Sequence, residues 1–275
     1  MERDQLFMEM NYTGERMVPG KADSYTFWEH IYRYRFAAPY VEGEKVLDIA
    51  CGEGYGSAAL LRAGAATLIG VDVSREACEH AALRYGIETR VGDATKIPLE
   101  DACVDIVVSF ETIEHVARPD LFLDECVRIL APGGQVIIST PNRDSYRECA
   151  PHNPYHLKEL NEEEFVALLR ARFAKFQMYT QRPNSAAWWS PRILSSAHSI
   201  WWKWRGFGRA RLLMQHLFCP EVVRLKTLTE ARKDPVQTIL SPIGALSHLA
   251  NPFAIRPKSA ASKEVPVYLI AVASL

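Results

Sequence analysis

Residues 46–56 read Val46-Leu47-Asp48-Ile49-Ala50-Cys51-Gly52-Glu53-Gly54-Tyr55-Gly56, and the fold follows from how that string changes character. Lys45 to Ile49 is a short apolar run, small residues then force a sharp turn, and Ser57 to Ala63 is rich in Ala and Leu. A strand, a glycine loop and a helix are predicted, in an order that brings the backbone close to a ligand. The dinucleotide fingerprint spaces its glycines G-x-G-x-x-G, whereas here Ala50, Gly52, Gly54 and Gly56 fall at every second position, with an acid, Asp48, at the strand end. That spacing disfavours a pyrophosphate. It suits a cationic nucleoside that carries an amino acid: Asp48 would face an ammonium group, and the small residues would let the ligand's chain lie on bare backbone.

The segments that follow extend the pattern. A second apolar run, Thr67 to Val71, ends in Asp72 and Val73, where an acid can accept from two ribose hydroxyls. A third strand, Thr89 to Val91, leads to Gly92-Asp93-Ala94, whose carboxylate can accept from an exocyclic adenine amine. Val104 to Phe110 reads as a buried parallel strand, and Leu130-Ala131-Pro132-Gly133-Gly134 closes a helix and turns into Gln135 to Thr140. In order and spacing these residues resemble the class I S-adenosylmethionine-dependent methyltransferases, over roughly 46–140 and more loosely to Leu275. The resemblance implies S-adenosylmethionine as cofactor, held by Asp48, Ala50, Gly52, Gly54, Asp72, Val73, Asp93, Ala94 and Phe110. It also implies an α/β fold: a Rossmann-like seven-stranded, mostly parallel sheet with helices on both faces.

The composition is compatible with this. The chain has 275 residues, 48% of them hydrophobic, with a net charge of −1, so bulk charge does not point to nucleic acid and no nucleic-acid partner is expected. Six cysteines are scattered without a C-x-x-C pair, and the start is acidic and polar rather than leader-like, so a cytoplasmic location is expected. No window holds about 18 uninterrupted apolar residues, the length a membrane-spanning helix needs.

Four parts are expected: an N-terminal arm and helix (1–43), the cofactor-binding core (44–182), an insertion (183–263) and a last core strand (264–275). The arm carries Tyr12-Thr13-Gly14-Glu15-Arg16-Met17-Val18-Pro19, a string similar to one that precedes the first strand in methyltransferases of bacterial glycan and surface-polysaccharide clusters. That likeness makes Arg16 a candidate substrate contact. Asp23 or Ser24 can cap a helix running to about Ala38. Ala174 to Thr180 reads as the sixth strand and Val265 to Ala273 as the seventh, with the insertion between them. Within it, Trp188, Trp189, Trp201, Trp202 and Trp204 are interleaved with Arg192, Lys203, Arg205, Arg209 and Arg211. Such a segment can pack as a helical lid, stack on sugars, receive phosphate or rest on an anionic membrane at its inner face. Trp188 and Trp189 are taken as substrate contacts, as is Asn142 in Thr140-Pro141-Asn142.

After the fourth strand, Glu111-Thr112-Ile113-Glu114-His115 brings two carboxylates and an imidazole together, and Pro151-His152-Asn153-Pro154-Tyr155-His156 supplies two more imidazoles. Two explanations stand side by side. His115 or His152 can be a general base; or Glu111, Glu114, His115 and His156 can hold a divalent ion, Mg²⁺ or Mn²⁺. The second arrangement resembles the metal site of small-RNA ribose 2′-O-methyltransferases and, in part, that of ubiquinone-pathway O-methyltransferases. A sugar hydroxyl is too weak an acid to ionise unaided, whereas an amine needs no cation beside it, so the expected reaction is O-methylation of a sugar or glycan hydroxyl. The alternatives are O-methylation of a catechol-like phenol and a non-catalytic, cofactor-binding assembly partner.

Overall fold

The computed structural model describes residues 16–19, 21–22, 24–149, 153–181, 233–240, 255–258 and 266–275. In chain order the elements are α1 (Ser24–Ala37), β1 (Lys45–Ile49), α2 (Tyr55–Arg62), β2 (Thr67–Asp72), α3 (Arg75–Tyr85), β3 (Glu88–Val91), β4 (Val104–Phe110), α4 (Pro119–Ile129), β5 (Leu130–Pro141), α5 (Arg143–Cys149), α6 (Glu162–Arg170), β6 (Lys175–Gln181), α7 (Pro235–Leu240), β7 (Ile255–Pro257) and β8 (Tyr268–Ser274). The strand, glycine loop and helix expected around residue 50 all form, with α2 starting at Tyr55 rather than Ser57.

The strands make one sheet in the order β3-β2-β1-β4-β5-β8-β6-β7. β1 pairs in parallel with β2 and β4, β2 with β3, and β4 with β5. β8 runs antiparallel between β5 and β6, so the final strand enters the interior of the sheet rather than its edge. Seven strands were expected and the described residues contain eight. The additional one, β7, comes from the stretch read as the insertion, and it pairs antiparallel with β6. A three-residue strand ending in Pro257 suits that place, because proline has no backbone N–H to offer a further neighbour and so blunts the edge. From the same stretch, α7 places Val236 and Ile239 in the core.

Strand alternation divides the core between the two faces of the sheet. Val46, Ile106, Val108 and Ile137 face Phe27 and Ile31 of α1, Leu60 of α2 and Ile239 of α7. Leu47, Ile49, Val107 and Ile138 face Phe122 and Leu123 of α4 and Phe165 and Leu169 of α6. Each fully buried large side chain in these layers stabilises the fold by about 1.5–3 kcal/mol relative to an exposed one. Helix ends follow the side chains available. Ser74 accepts from the Ala77 N–H at 3.2 Å to start α3, and Asn161 and Glu164 form a reciprocal capping box, each accepting at 2.9 Å, to start α6. Because β2 lies on one side of β1 and β4 on the other, strand order reverses there. The crevice beyond their carboxyl ends is where this topology binds ligands.

Candidate active site

A cavity of about 690 Å³ opens at those carboxyl ends. Its floor is the turn after each of the first four strands: Ala50 to Gly52, Asp72 and Val73, Gly92 to Thr95, and Phe110 to Thr112 with Glu114. Two non-glycine residues at this floor, Ala50 (φ 60°) and Glu111 (φ 55°), are in the left-handed region, a conformation that costs energy and that clusters where backbone must be aimed. Gly52 (φ 54°) also turns there, and an added Cβ would meet nothing within 4 Å, because its open side is the cavity.

Asp72 is fixed by two backbone donors. Gly52 N–H donates to Oδ2 and Ser74 N–H to Oδ1, both at 2.9 Å. Each carboxylate oxygen keeps acceptor capacity, so the pair can receive two adjacent hydroxyls. Val73 is 73% exposed beside it, and Asp93 and Ala94 line the neighbouring wall. Asp93 accepts from the Thr95 hydroxyl and N–H at 2.6 and 2.7 Å, which together hold its carboxyl below the usual range. Phe110 lines the cavity too, edge-on to Tyr34.

Two of the residues expected to touch the cofactor lie elsewhere. Asp48 is wholly buried beneath the loop and is absent from the cavity lining; it accepts from the Ser57 hydroxyl at 2.6 Å and the Tyr34 hydroxyl at 3.2 Å. It therefore clamps α1 and α2 to β1 rather than facing an ammonium group. Burial raises its pKa to about 7 against the partial relief of those hydrogen bonds. Gly54 (φ 88°) is a packing residue, since a Cβ there would sit 2.4 Å from the Ala81 Cβ of α3. Gly56 is the same kind of contact: its Cβ would lie 2.0 Å from the Tyr34 ring.

Beyond β4, a short 3-10 turn (Ile113–His115) presents Glu114 and His115 to the loop that carries His156. One ligand-capable atom from each of the three lies within 4.8 Å of the others. Glu114 is fully buried, its Oε1 has no hydrogen-bond partner among the described residues, and Oε2 is 3.4 Å from the Thr140 hydroxyl. Burial, and then the charge of Glu111, push its carboxyl well above the ordinary range. The His115 Nδ1 is 3.0 Å from the Tyr155 carbonyl, and the His156 Nδ1 is 3.0 Å from a Glu159 carboxylate oxygen. Glu111, expected as a fourth ligand, turns away: its Oε1 accepts from Ser139 at 2.7 Å and its Oε2 pairs with Arg33 at 3.6 Å. Its left-handed backbone accounts for the departure from one continuous helical turn.

The opposite wall was missed in the sequence. α1 lines the cavity with Thr26, Glu29, His30 and Arg33. Arg33 is completely buried, its guanidinium sits 4.2 Å over the Tyr268 ring, and its Nε and Nη2 have no hydrogen-bond partner among the described residues. Burial opposes its charge, but Glu111, Tyr268, Glu29 and Glu114 outweigh that and raise its pKa. Burial and Arg33 hold His30 well below the usual imidazole range. Glu29 accepts from the Tyr268 hydroxyl at 2.9 Å. The i, i+3, i+4, i+7 spacing of Thr26, Glu29, His30 and Arg33 was the available signal: a polar stripe on an otherwise aromatic helix.

Arg16 lines the cavity mouth and approaches the Ser74 hydroxyl at 3.4 Å. Asn142 does not line it; the side chain is buried, donating to the Pro266 carbonyl at 3.1 Å, and so ties β5 to the approach to β8. His152, Trp188, Trp189 and the rest of the Trp/Arg stretch lie outside the described residues.

Residues 47–138 match the methyltransferase domain family. The chain is 42% identical over 161 residues to a Mycolicibacterium smegmatis protein named "Probable S-adenosylmethionine-dependent methyltransferase", covering 57% of this chain and 62% of that one. A Mycobacterium tuberculosis relative named in the same terms is 38% identical over 164 residues, with 58% of this chain and 60% of that one covered. The chain thus spans about 60% of the length of these curated relatives. A ubiquinone biosynthesis O-methyltransferase of Chelativorans is 36% identical over 114 residues, 40% of this chain and 44% of that one. A solved SAM-dependent methyltransferase of Thermotoga maritima shares the fold, with a TM-score of 0.53 at 16% identity over 91% of this chain and 94% of that one.

Proposed function

We propose that this chain transfers the methyl group of S-adenosylmethionine to a hydroxyl oxygen, with a divalent cation at Glu114, His115 and His156. The observation that carries the proposal is the union of two features at one cavity: a doubly anchored Asp72 beside an open Gly52, and a buried Glu114 with a carboxylate oxygen within 4.8 Å of a ring nitrogen of each of two imidazoles. Asp72 would hold the ribose hydroxyls, and Asp93 the adenine amine. Arg33, buried and with its Nε lacking a hydrogen-bond partner among the described residues, is suited to the cofactor's carboxylate. Oxygen and imidazole donors fit Mg²⁺ or Mn²⁺, and such an ion supplies the Lewis acidity that lowers the pKa of a weakly acidic hydroxyl.

In the reaction an O–CH₃ bond forms as the S–CH₃ bond breaks, the sulfur leaves as a neutral thioether, and the hydroxyl proton passes to a base. With the cation bound, His115 Nε2 is one of its ligands and the proton leaves to solvent water; without a cation, the Tyr155 carbonyl beside Nδ1 leaves Nε2 to accept and His115 is the base. The remaining task is alignment, which the strand-end turns and the α1 wall perform.

The acceptor we favour is a sugar or glycan hydroxyl next to a second oxygen. The Trp/Arg stretch 188–211 would meet the glycan or a lipid carrier. The ubiquinone-pathway relative favours a second reading, a catechol-like phenol. Mn²⁺ binding, followed by electron paramagnetic resonance with S-adenosylhomocysteine present, tests the cation: we expect saturable binding that Glu114→Ala and His156→Ala each abolish. Binding indifferent to both changes would refute it. Methyl transfer to vicinal diols against catechols then separates the two acceptors.

A further inference from the structure

The loop at residues 153–160 is tied to the Glu114 turn by several hydrogen bonds. Leu157 N–H and Lys158 N–H both donate to the Glu114 carbonyl, at 2.8 and 2.9 Å. Asn153 organises the loop's start, its side chain accepting from Tyr155 N–H at 3.0 Å and its carbonyl from His156 N–H at 3.2 Å. The same short segment therefore presents the Tyr155 carbonyl to His115, carries His156, and places Glu159 against His156. The last pair is nearly closed to solvent, with side chains 6% and 10% exposed. The Tyr146 ring, 5.5 Å away, and the His115 ring, 5.0 Å away, confine the His156 imidazole further.

A metal-binding histidine usually donates its second ring N–H to a carboxylate or carbonyl, which fixes the tautomer and the ring plane. Both imidazoles here have such an acceptor at Nδ1, one a backbone carbonyl and one a carboxylate. We infer that Glu159 is a positioning residue: it holds the proton of His156 at Nδ1 and turns Nε2 toward Glu114 and His115. Glu159 does not line the cavity, so its effect on the site would pass through His156. The inference rests on the cation reading given above, but its immediate consequence, the tautomer, does not.

Two measurements test it. In metal-free protein labelled with ¹⁵N-histidine, the native chain should show His156 as the Nδ1–H tautomer. Glu159→Ala should redistribute the proton, and Glu159→Gln, whose amide oxygen still accepts, should restore it in part. With Mn²⁺ and S-adenosylhomocysteine, Glu159→Ala should weaken cation affinity about 10–100-fold, while S-adenosylhomocysteine affinity and the melting temperature stay near native. An unchanged His156 tautomer in Glu159→Ala overturns the inference, as does unchanged Mn²⁺ affinity in a protein whose native form binds. If the native chain binds no Mn²⁺ but the tautomer shifts, the cation reading fails and the positioning role stands.

Discussion

Asp48 shows how a residue can be placed correctly in a strand and still meet partners that the sequence does not reveal. Its position at the end of β1 suggested a counter-charge for the cofactor, yet its side chain points below the loop and is closed in by Tyr34 and Ser57, residues 14 and 9 positions away in the sequence. Nothing within the loop's own residues announces that closure. The burial has a thermodynamic signature. The carboxyl titrates at about 7 in the fold against an ordinary value of 3.8, so between those limits the native state holds a proton that the unfolded chain has lost. Stability then falls as pH rises through that window and levels off above it. Asp48→Asn removes the titration while keeping an acceptor for the hydroxyls. Its melting temperature should be flatter than native between pH 4 and 7, and equal or higher at pH 8; parallel pH profiles for the two proteins would contradict this.

At the scale of elements, much of the sheet could be read in advance because β1, β2, β4 and β8 are local apolar runs. β1 and β4 begin and end where the hydrophobic pattern places them, and the Asn161 capping box marks α6. What could not be read is set by partners far along the chain. β7 exists because the outer edge of β6 accepts it, and the short strand Ile255–Pro257 has no periodicity of its own. The glycines divide by the same criterion: identical in sequence, they separate once their neighbours are known. Gly52→Ala adds a methyl to open space at φ 54°, costing about 1–2 kcal/mol of backbone strain. It should weaken S-adenosylhomocysteine binding at least 10-fold in calorimetry while leaving a cooperative fold. Gly56→Ala drives a methyl into the Tyr34 ring, so a destabilisation of about 1–3 kcal/mol in urea unfolding is expected as α1 moves off α2. If Gly52→Ala bound the ligand like the native protein, the glycine loop would not be the cofactor's seat.

Across the whole molecule, the cavity has two halves of different origin. One is the row of turns after β1 to β4, which follows from topology and was legible. The other is α1 with Tyr268 of β8, elements from opposite ends of the described chain that meet at Glu29 and Arg33. A ligand in the cavity would touch both halves, and only the native state brings them together. Bound ligand therefore adds RT ln(1 + [L]/Kd) to stability, about 2.7 kcal/mol at a hundredfold excess over Kd. For a chain of this size that corresponds to a rise in melting temperature on the order of 5 °C. S-adenosylhomocysteine should produce it in thermal unfolding of the native protein. At the same ligand concentration Asp72→Ala should lose most of the rise, because the carboxylate that receives the ribose is gone while both halves of the wall remain. NADH should have no effect, since the alternating small residues of the loop do not match the pyrophosphate fingerprint. A rise with NADH and none with S-adenosylhomocysteine would reverse the assignment of the crevice.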